Sequence, residues 1–249
     1  MQNKHNISPT KKRFLDRFFD YSSPQLDSFG TVLILTLISV AVLLLANLGL
    51  NLDKQVNIAV LMVNFTVGLT LIYSLRASGL AKRYLNPITI LIVISILAST
   101  LILIVNYIKP GAISVVGFKG ISPIWVFITI ITPLASTWRL LHHKQVTINT
   151  LYAAISSYLQ IAIAFAFMYL FIASNSSGLF FGQIERTTSF MYYSLTTIST
   201  VGYGDLHTTN ELGRALSASE AIIGQIYLVV LVAMLVGIFV NSKSKDISE

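Results

Sequence analysis

In the stretch TTISTVGYGDLHTT, Thr196 to Thr209, hydroxyl residues, two glycines, a tyrosine and an aspartate interrupt a chain otherwise rich in Leu, Ile, Val and Ala. The chemistry open to such a segment is cation coordination by oxygen. Glycine takes positive φ about as readily as negative φ, so Gly202 and Gly204, alternating with Val201, Tyr203 and Asp205, let successive carbonyls point to one side. Four copies of such a loop around an axis make stacked oxygen rings that replace the hydration shell of an ion. A plain Gly-rich turn between helices is the alternative, and it requires neither a preceding half-helix nor this residue order. Catalysis has no comparable support: there is no nucleotide-binding loop, no metal-ligand cluster and no nucleophile-base pair. The absence of cysteine also removes disulfides, thiolate metal sites and thiol catalysis. No cofactor is expected, only an ion as permeant ligand.

The loop must be positioned by what precedes it. The segment ERTTSFMYYSLTTIS predicts a short helix over 187–198, with Glu185 and Thr187 near its N-terminal end. At about 1.5 Å per residue it reaches roughly half way across the hydrocarbon, a re-entrant half-helix. The irregular backbone after it lies at membrane depth, where it is tolerated only if buried in protein or lining water. The C-terminal end of the half-helix directs a negative dipole end at the cavity below, which favours a cation.

The rest of the chain supplies membrane spans. With 54% hydrophobic and 11% charged residues and a mean hydropathy of +0.74, its 249 residues carry too little charge to cover a soluble globule. Six stretches reach the roughly 20 apolar residues that cross a bilayer: 31–50, 56–75, 87–108, 121–141, 150–173 and 215–240. The first run begins at Thr31 and is too long for a secretory leader, so it is expected to be a span. The net charge of +7 is explained by topology and not by nucleic acid. Twelve basic residues fall before the first span, in the second-to-third and fourth-to-fifth connections and in the tail, against five on the other side. Both termini are therefore expected in the cytoplasm. Residues 1–30, with Ser8, Pro9 and then Phe14, Leu15, Phe18 and Phe19 at helical spacing, predict an interfacial helix on membrane lipid; a partner-binding helix is the alternative.

TVGYGD resembles the signature of potassium-channel selectivity filters. The likeness extends over MYYSLTTISTVGYGDLHTTNELGR and over EAIIGQIYLVVLVAMLVG, which resembles the pore-lining helix of bacterial potassium channels. About 60 residues, 187 to 240, carry it; the first four spans match in number alone. The resemblance implies that the carbonyls of Thr200, Val201, Gly202 and Tyr203, with the Thr200 hydroxyl, coordinate dehydrated K+, Gly204 completing the filter. It implies that Tyr203 points outward into an aromatic cuff with Tyr192 and Tyr193, and that Asp205 stands behind the outer filter. Three positions depart from the family pattern. Thr196 stands where many relatives have a pore-helix carboxylate paired with the aspartate, Thr208 replaces a common proline, and His207 takes an outer-mouth position that is often aromatic. Four His207 rings would gain charge in acid and reduce K+ entry, unless the histidine is merely a solvated loop residue.

On the last span, Gly224, Leu228, Val232, Val236 and Val240 recur every four residues. The resemblance makes Gly224 a hinge and the valines a closing apolar ring near the cytoplasmic crossing; a packing stripe, with Gly224 allowing close helix approach, is the rival account. Glu220 is the only acidic residue in any span and is expected to support the filter through hydroxyls of the pore helix. Arg139 is the only charge in the fourth span, so no ladder for steep voltage gating exists. Pro123 and Pro133 predict a bent or interrupted helix there. His142 and His143, in the linker, are candidate pH sensors or inert interfacial residues.

The fold expected is an all-α membrane protein: six transmembrane helices per chain plus a re-entrant pore helix and filter loop, in a homotetrameric pore, since one chain supplies one loop and a ring needs four. Its parts are a cytoplasmic segment 1–30, a voltage-sensor-like domain 31–141 without a charge ladder, a linker 142–149, a pore domain 150–240 and a tail 241–249. The pore domain comprises an outer helix 150–173, a pore helix 187–198, a filter 199–205 and an inner helix 215–240. No cytoplasmic ligand-binding domain is expected in so short a tail. The function expected is passive, potassium-selective conduction in the cell membrane. A non-conducting regulatory subunit and a potassium transporter subunit are the alternatives, but the first would be expected to lose Thr200, Gly202 or Gly204, and the second to carry four imperfect repeats.

Overall fold

The computed structural model describes residues 28–45, 53–108, 123–141, 148–176, 178–183 and 185–246. Their regular elements are seven α-helices: α1 Phe29–Leu45, α2 Asp53–Ala77, α3 Lys82–Ile108, α4 Pro123–Leu141, α5 Ile148–Asn175, α6 Thr187–Ile198 and α7 Glu211–Asp246. The expected interfacial helix with Phe14 to Phe19, His142 and His143, and the side chain of Val240 lie outside the described residues. Among the described residues, four stretches are long and apolar enough to cross a membrane: Lys82–Ile102, Pro123–Leu141, Ile148–Asn175 and Glu211–Ala233. Phe29–Leu45 and Leu61–Ala77 are shorter apolar helices.

Composition explains why α5 organises the bundle. Its buried positions include Ala153, Ala154, Ala162, Ala164, Ala166, Ser156 and Ser157. Small side chains of this kind let neighbouring helices approach closely where no water drives them together. Both α1 and α4 pack on α5, and α1 also reaches α6. One apolar cluster runs through the contact, joining Val40 and Leu43 of α1, Leu71 and Leu75 of α2, Trp125 of α4, Phe167 of α5, and Met191 and Ile198 of α6. α3 packs on α2 and turns Ile94, Leu97 and Leu101 outward, as a helix facing lipid does.

Helix boundaries exceed the apolar runs at several ends. α3 starts at Lys82 and α7 at Glu211, and α7 continues to Asp246. Hydropathy marks the part of a helix in hydrocarbon, whereas backbone hydrogen bonding continues into polar turns that water covers. Asn210 starts α7 by accepting the Gly213 amide at its Oδ1, 3.0 Å away, the usual N-cap arrangement. α4 begins on Pro123 and runs unbroken through Pro133, so the expected interruption does not occur. A first-turn proline costs no hydrogen bond. Nearby hydroxyls stay with the helix backbone, Thr129 on Trp125 O at 2.9 Å and Thr132 on Ile128 O at 2.7 Å.

A polar seam crosses this apolar core. Ser74 Oγ donates to Gln160 Oε1 at 3.0 Å and lies 3.0 Å from Ser136 Oγ, while Gln160 Nε2 donates to Thr36 Oγ1 at 3.4 Å. Ser39 and Thr70 share a further bond of 2.9 Å. Gln160 thereby joins α1, α2 and α4 to α5 in one register. Hydrogen bonds between helices in lipid contribute about 0.6 to 2 kcal/mol each. Gln160→Leu is expected to lower the thermal unfolding midpoint in detergent, and Ser39→Ala to change it less, because the Ser39 hydroxyl bonds to Leu35 and Thr70 and not to α5.

Candidate functional site

The half-helix α6 is seated at both ends and along one face. Near its start, the Glu185 carboxylate accepts Ser189 Oγ at 2.6 Å and Gln183 Nε2 at 2.7 Å. At its end, Tyr158 of α5 donates to the Ile198 carbonyl at 3.1 Å. Along its face, Tyr193 meets Tyr169 of α5 and Phe181 of the preceding loop, each at 5.2 Å between ring centroids, within a cluster that includes Phe165, Phe180 and Phe190. Edge-on aromatic contacts of this geometry add about 0.5 to 1.5 kcal/mol each beyond area burial.

The loop leaving α6 has an alternating backbone. Thr200, Gly202 and Gly204 have φ of 59°, 46° and 80°, and Thr200 is the only non-glycine with positive φ among the described residues. Positive φ at every second residue is the condition that allows successive carbonyls to share a side, and the glycines meet it without steric cost. Thr200 does so against its β-branched side chain, a costly conformation that persists only where the surroundings impose it. Two amides impose it here: Thr200 N donates to Thr197 O at 2.9 Å and Gly202 N to Thr196 O at 3.0 Å. Val201 and Tyr203 are 53% and 73% exposed in the single chain.

The side chains behind the loop divide their work. Tyr192 Oη donates to Asp205 Oδ2 at 2.8 Å. Tyr193 turns the other way, to Ser217 Oγ of α7 at 2.8 Å. Tyr192, Tyr193 and Tyr203 thus do not form one cuff within the chain. Thr196 does not reach Asp205: its Oγ1 returns to the Tyr193 carbonyl at 3.0 Å, the bond a helical hydroxyl makes to its own preceding turn. Thr208 is buried, and its Oγ1 accepts the Asn210 amide at 3.2 Å. His207 borders a hollow of about 560 Å³ with Tyr193, Arg214 and Ser217.

Glu220 of α7 is 0% exposed. Tyr169 Oη donates to its Oε2 at 2.6 Å, and Ser194 of α6 donates to its Oε1. Ser194 Oγ also lies 2.7 Å from the Ala162 carbonyl of α5. One carboxyl group therefore ties α5, α6 and α7 directly behind the loop, with hydroxyls on both of its oxygens. One turn further along, Gly224 faces the half-helix: a Cβ there would stand 2.5 Å from the Ile198 carbonyl oxygen. Gly224 is thus required for close approach of α7 to α6, and it is turned away from the open stripe. Val232 and Val236 lie on that stripe, each 55% exposed.

Gln225 is a polar residue that the four-residue spacing passes over. Its Nε2 donates to Thr200 Oγ1 at 3.1 Å. The available signal was chemical, not periodic, since Gln225 is the single amide side chain between residues 215 and 240.

A family model described as ion channel matches residues 153–241, covering most of α5, all of α6, the loop and most of α7. No curated protein and no solved structure matches the chain. Residues 153–241 are thus similar to an ion-channel domain, carried in an all-helical chain with apolar, membrane-length helices.

Removing the Glu220 carboxyl takes the acceptor from the Tyr169 hydroxyl, at about 1 to 3 kcal/mol for an unsatisfied buried group, while Ser194 keeps the Ala162 carbonyl. Glu220→Ala is expected to lower the unfolding midpoint sharply, and Glu220→Gln, which keeps an acceptor and a donor at the same place, to retain most of it. Equal midpoints for Glu220→Ala and wild type, by tryptophan fluorescence in detergent, would remove Glu220 from this role.

Proposed function

We propose that the protein is a homotetrameric potassium channel, in which four chains contribute their 199–205 loops to one selectivity filter. The observation that carries this is the alternation of positive φ at Thr200, Gly202 and Gly204, within TVGYGD, at the end of a half-helix. In the proposed pore, the carbonyls of Thr200, Val201, Gly202 and Tyr203 and the Thr200 hydroxyl replace water around K+, and the C-terminal dipole of each α6 favours the cation in the cavity. Support for assembly comes from α7. Only 17% of its apolar window is buried in the single chain, against 56% for α5. Ile222, Ile226 and Val230 stand open on faces that partner copies would cover, and Tyr203 would find its aromatic neighbours across the subunit boundary.

The six apolar helices α1 to α5 and α7 are the proposed spans, with both termini on the cytoplasmic side, where the basic residues concentrate. Arg139 is buried and is the one basic residue of α4. Each gating charge contributes about 2.3 kcal/mol per 100 mV, so a single arginine per chain supports at most shallow voltage dependence. Val232 and Val236 form the proposed apolar constriction, and Asp205 with Tyr192 steadies the outer filter.

Purified protein in liposomes is expected to pass K+ far faster than Na+, and Gly202→Asp to abolish the flux. Equal K+ and Na+ flux, or an unchanged flux in Gly202→Asp, would reject the proposal. Tyr192→Phe removes the donor to Asp205 and is expected to accelerate the loss of K+ flux when external K+ is lowered, measured as the decay time of single-channel activity.

A further inference from the structure

We propose that Gln225 is an ion-binding residue at the inner end of the filter, holding the Thr200 hydroxyl with one end of its amide and offering a carbonyl oxygen to the cation with the other. The proposal rests on the channel reading above. The first ground is contact. Gln225 Nε2 donates to Thr200 Oγ1 at 3.1 Å, and both residues are exposed in the single chain. Its Oε1 takes no hydrogen bond among the described residues.

The second ground is direction. At about 100° per residue, Gln225, Val232 and Val236 fall within roughly 20° of one line along α7. Val232 and Val236 are open on that line, while Gly224 and Leu231 face the chain's own core. Gln225 therefore heads the uncovered stripe at the level where the loop begins. An amide at this depth is costly against lipid, and a water-filled cavity on the stripe removes that cost.

The third ground is the hydrogen inventory. A threonine hydroxyl has one hydrogen and two lone pairs. Accepting from Gln225 occupies one lone pair and fixes the rotor, which leaves a lone pair for an ion. Thr200 is also the residue whose backbone is held at positive φ, so its side chain is set from both ends. In four copies, a ring of Gln225 Oε1 atoms would lie next to a ring of Thr200 Oγ1 atoms. Eight oxygens at the inner mouth suit a cation losing its water, and they suit most strongly a divalent ion of potassium's size such as Ba2+.

The experiment is Ba2+ block from the cytoplasmic side of the full-length channel in planar bilayers, with K+ and Na+ permeability measured on the same preparation. Q225M keeps length and removes both polar ends; it is expected to weaken Ba2+ block by about tenfold. Q225E adds charge to the ring and is expected to tighten the block by at least as much. Unchanged Ba2+ affinity in both variants, with K+ selectivity intact, overturns the assignment of Gln225. A wild-type protein that passes Na+ as readily as K+ overturns the channel reading instead. Should a variant fail to assemble, the side-chain amide 15N signal of Gln225 in the wild type decides: a shift on adding Ba2+ is expected, and an unmoved signal rejects the proposal.

Discussion

Backbone that leaves regular structure among apolar helices must find partners for its amides, and much of the chain from α5 to α7 answers to that constraint. The 199–205 loop meets it with its own preceding helix: the Thr196 and Thr197 carbonyls, freed at the end of α6, accept the Gly202 and Thr200 amides. The helix end and the loop thus solve each other's unpaired groups. That solution fixes where the loop stands only if α6 itself cannot move, and so the demand passes outward to whatever holds α6.

What holds it is unusually polar for so apolar a chain. Glu220 binds a hydroxyl from α5 and one from α6, Tyr158 bonds the last carbonyl of α6, and Tyr193 reaches Ser217 on α7. In a medium as apolar as the side chains themselves, apolar contact alone gives helices little preference among registers. Directional hydrogen bonds and close-fitting small residues supply it. The same logic continues into the first four helices, where Gln160 gathers hydroxyls of α1, α2 and α4 onto α5. Those helices are thereby held in one register against α5.

The sequence carries much of this legibly because membrane proteins reduce the signals to be read. Long apolar runs located the helices to within a few residues, and α6 coincides with the predicted 187–198. The ends of α3 and α7 were legible only as far as hydropathy reached, since a helix continues past the hydrocarbon wherever caps such as Asn210 allow. Glu220 stood out because a carboxyl in a span must have a partner. Gln225 did not, because periodicity placed the stripe on Gly224, and one residue of error turns a helix by about 100°.

Two glycines at alternate positions, behind a hydroxyl run, were enough to read from sequence the alternating backbone that the loop adopts. Its side-chain partners were not legible there. Whether Asp205 meets Thr196 or Tyr192, whether Gly224 faces a pore or a neighbouring helix, and which hydroxyls receive Glu220 depend on the rotation of each helix about its axis. That rotation is set by contacts between residues dozens of positions apart, such as Tyr169 with Glu220 and Thr36 with Gln160. Local sequence fixes which groups are available, and only packing fixes which of them come within hydrogen-bonding distance.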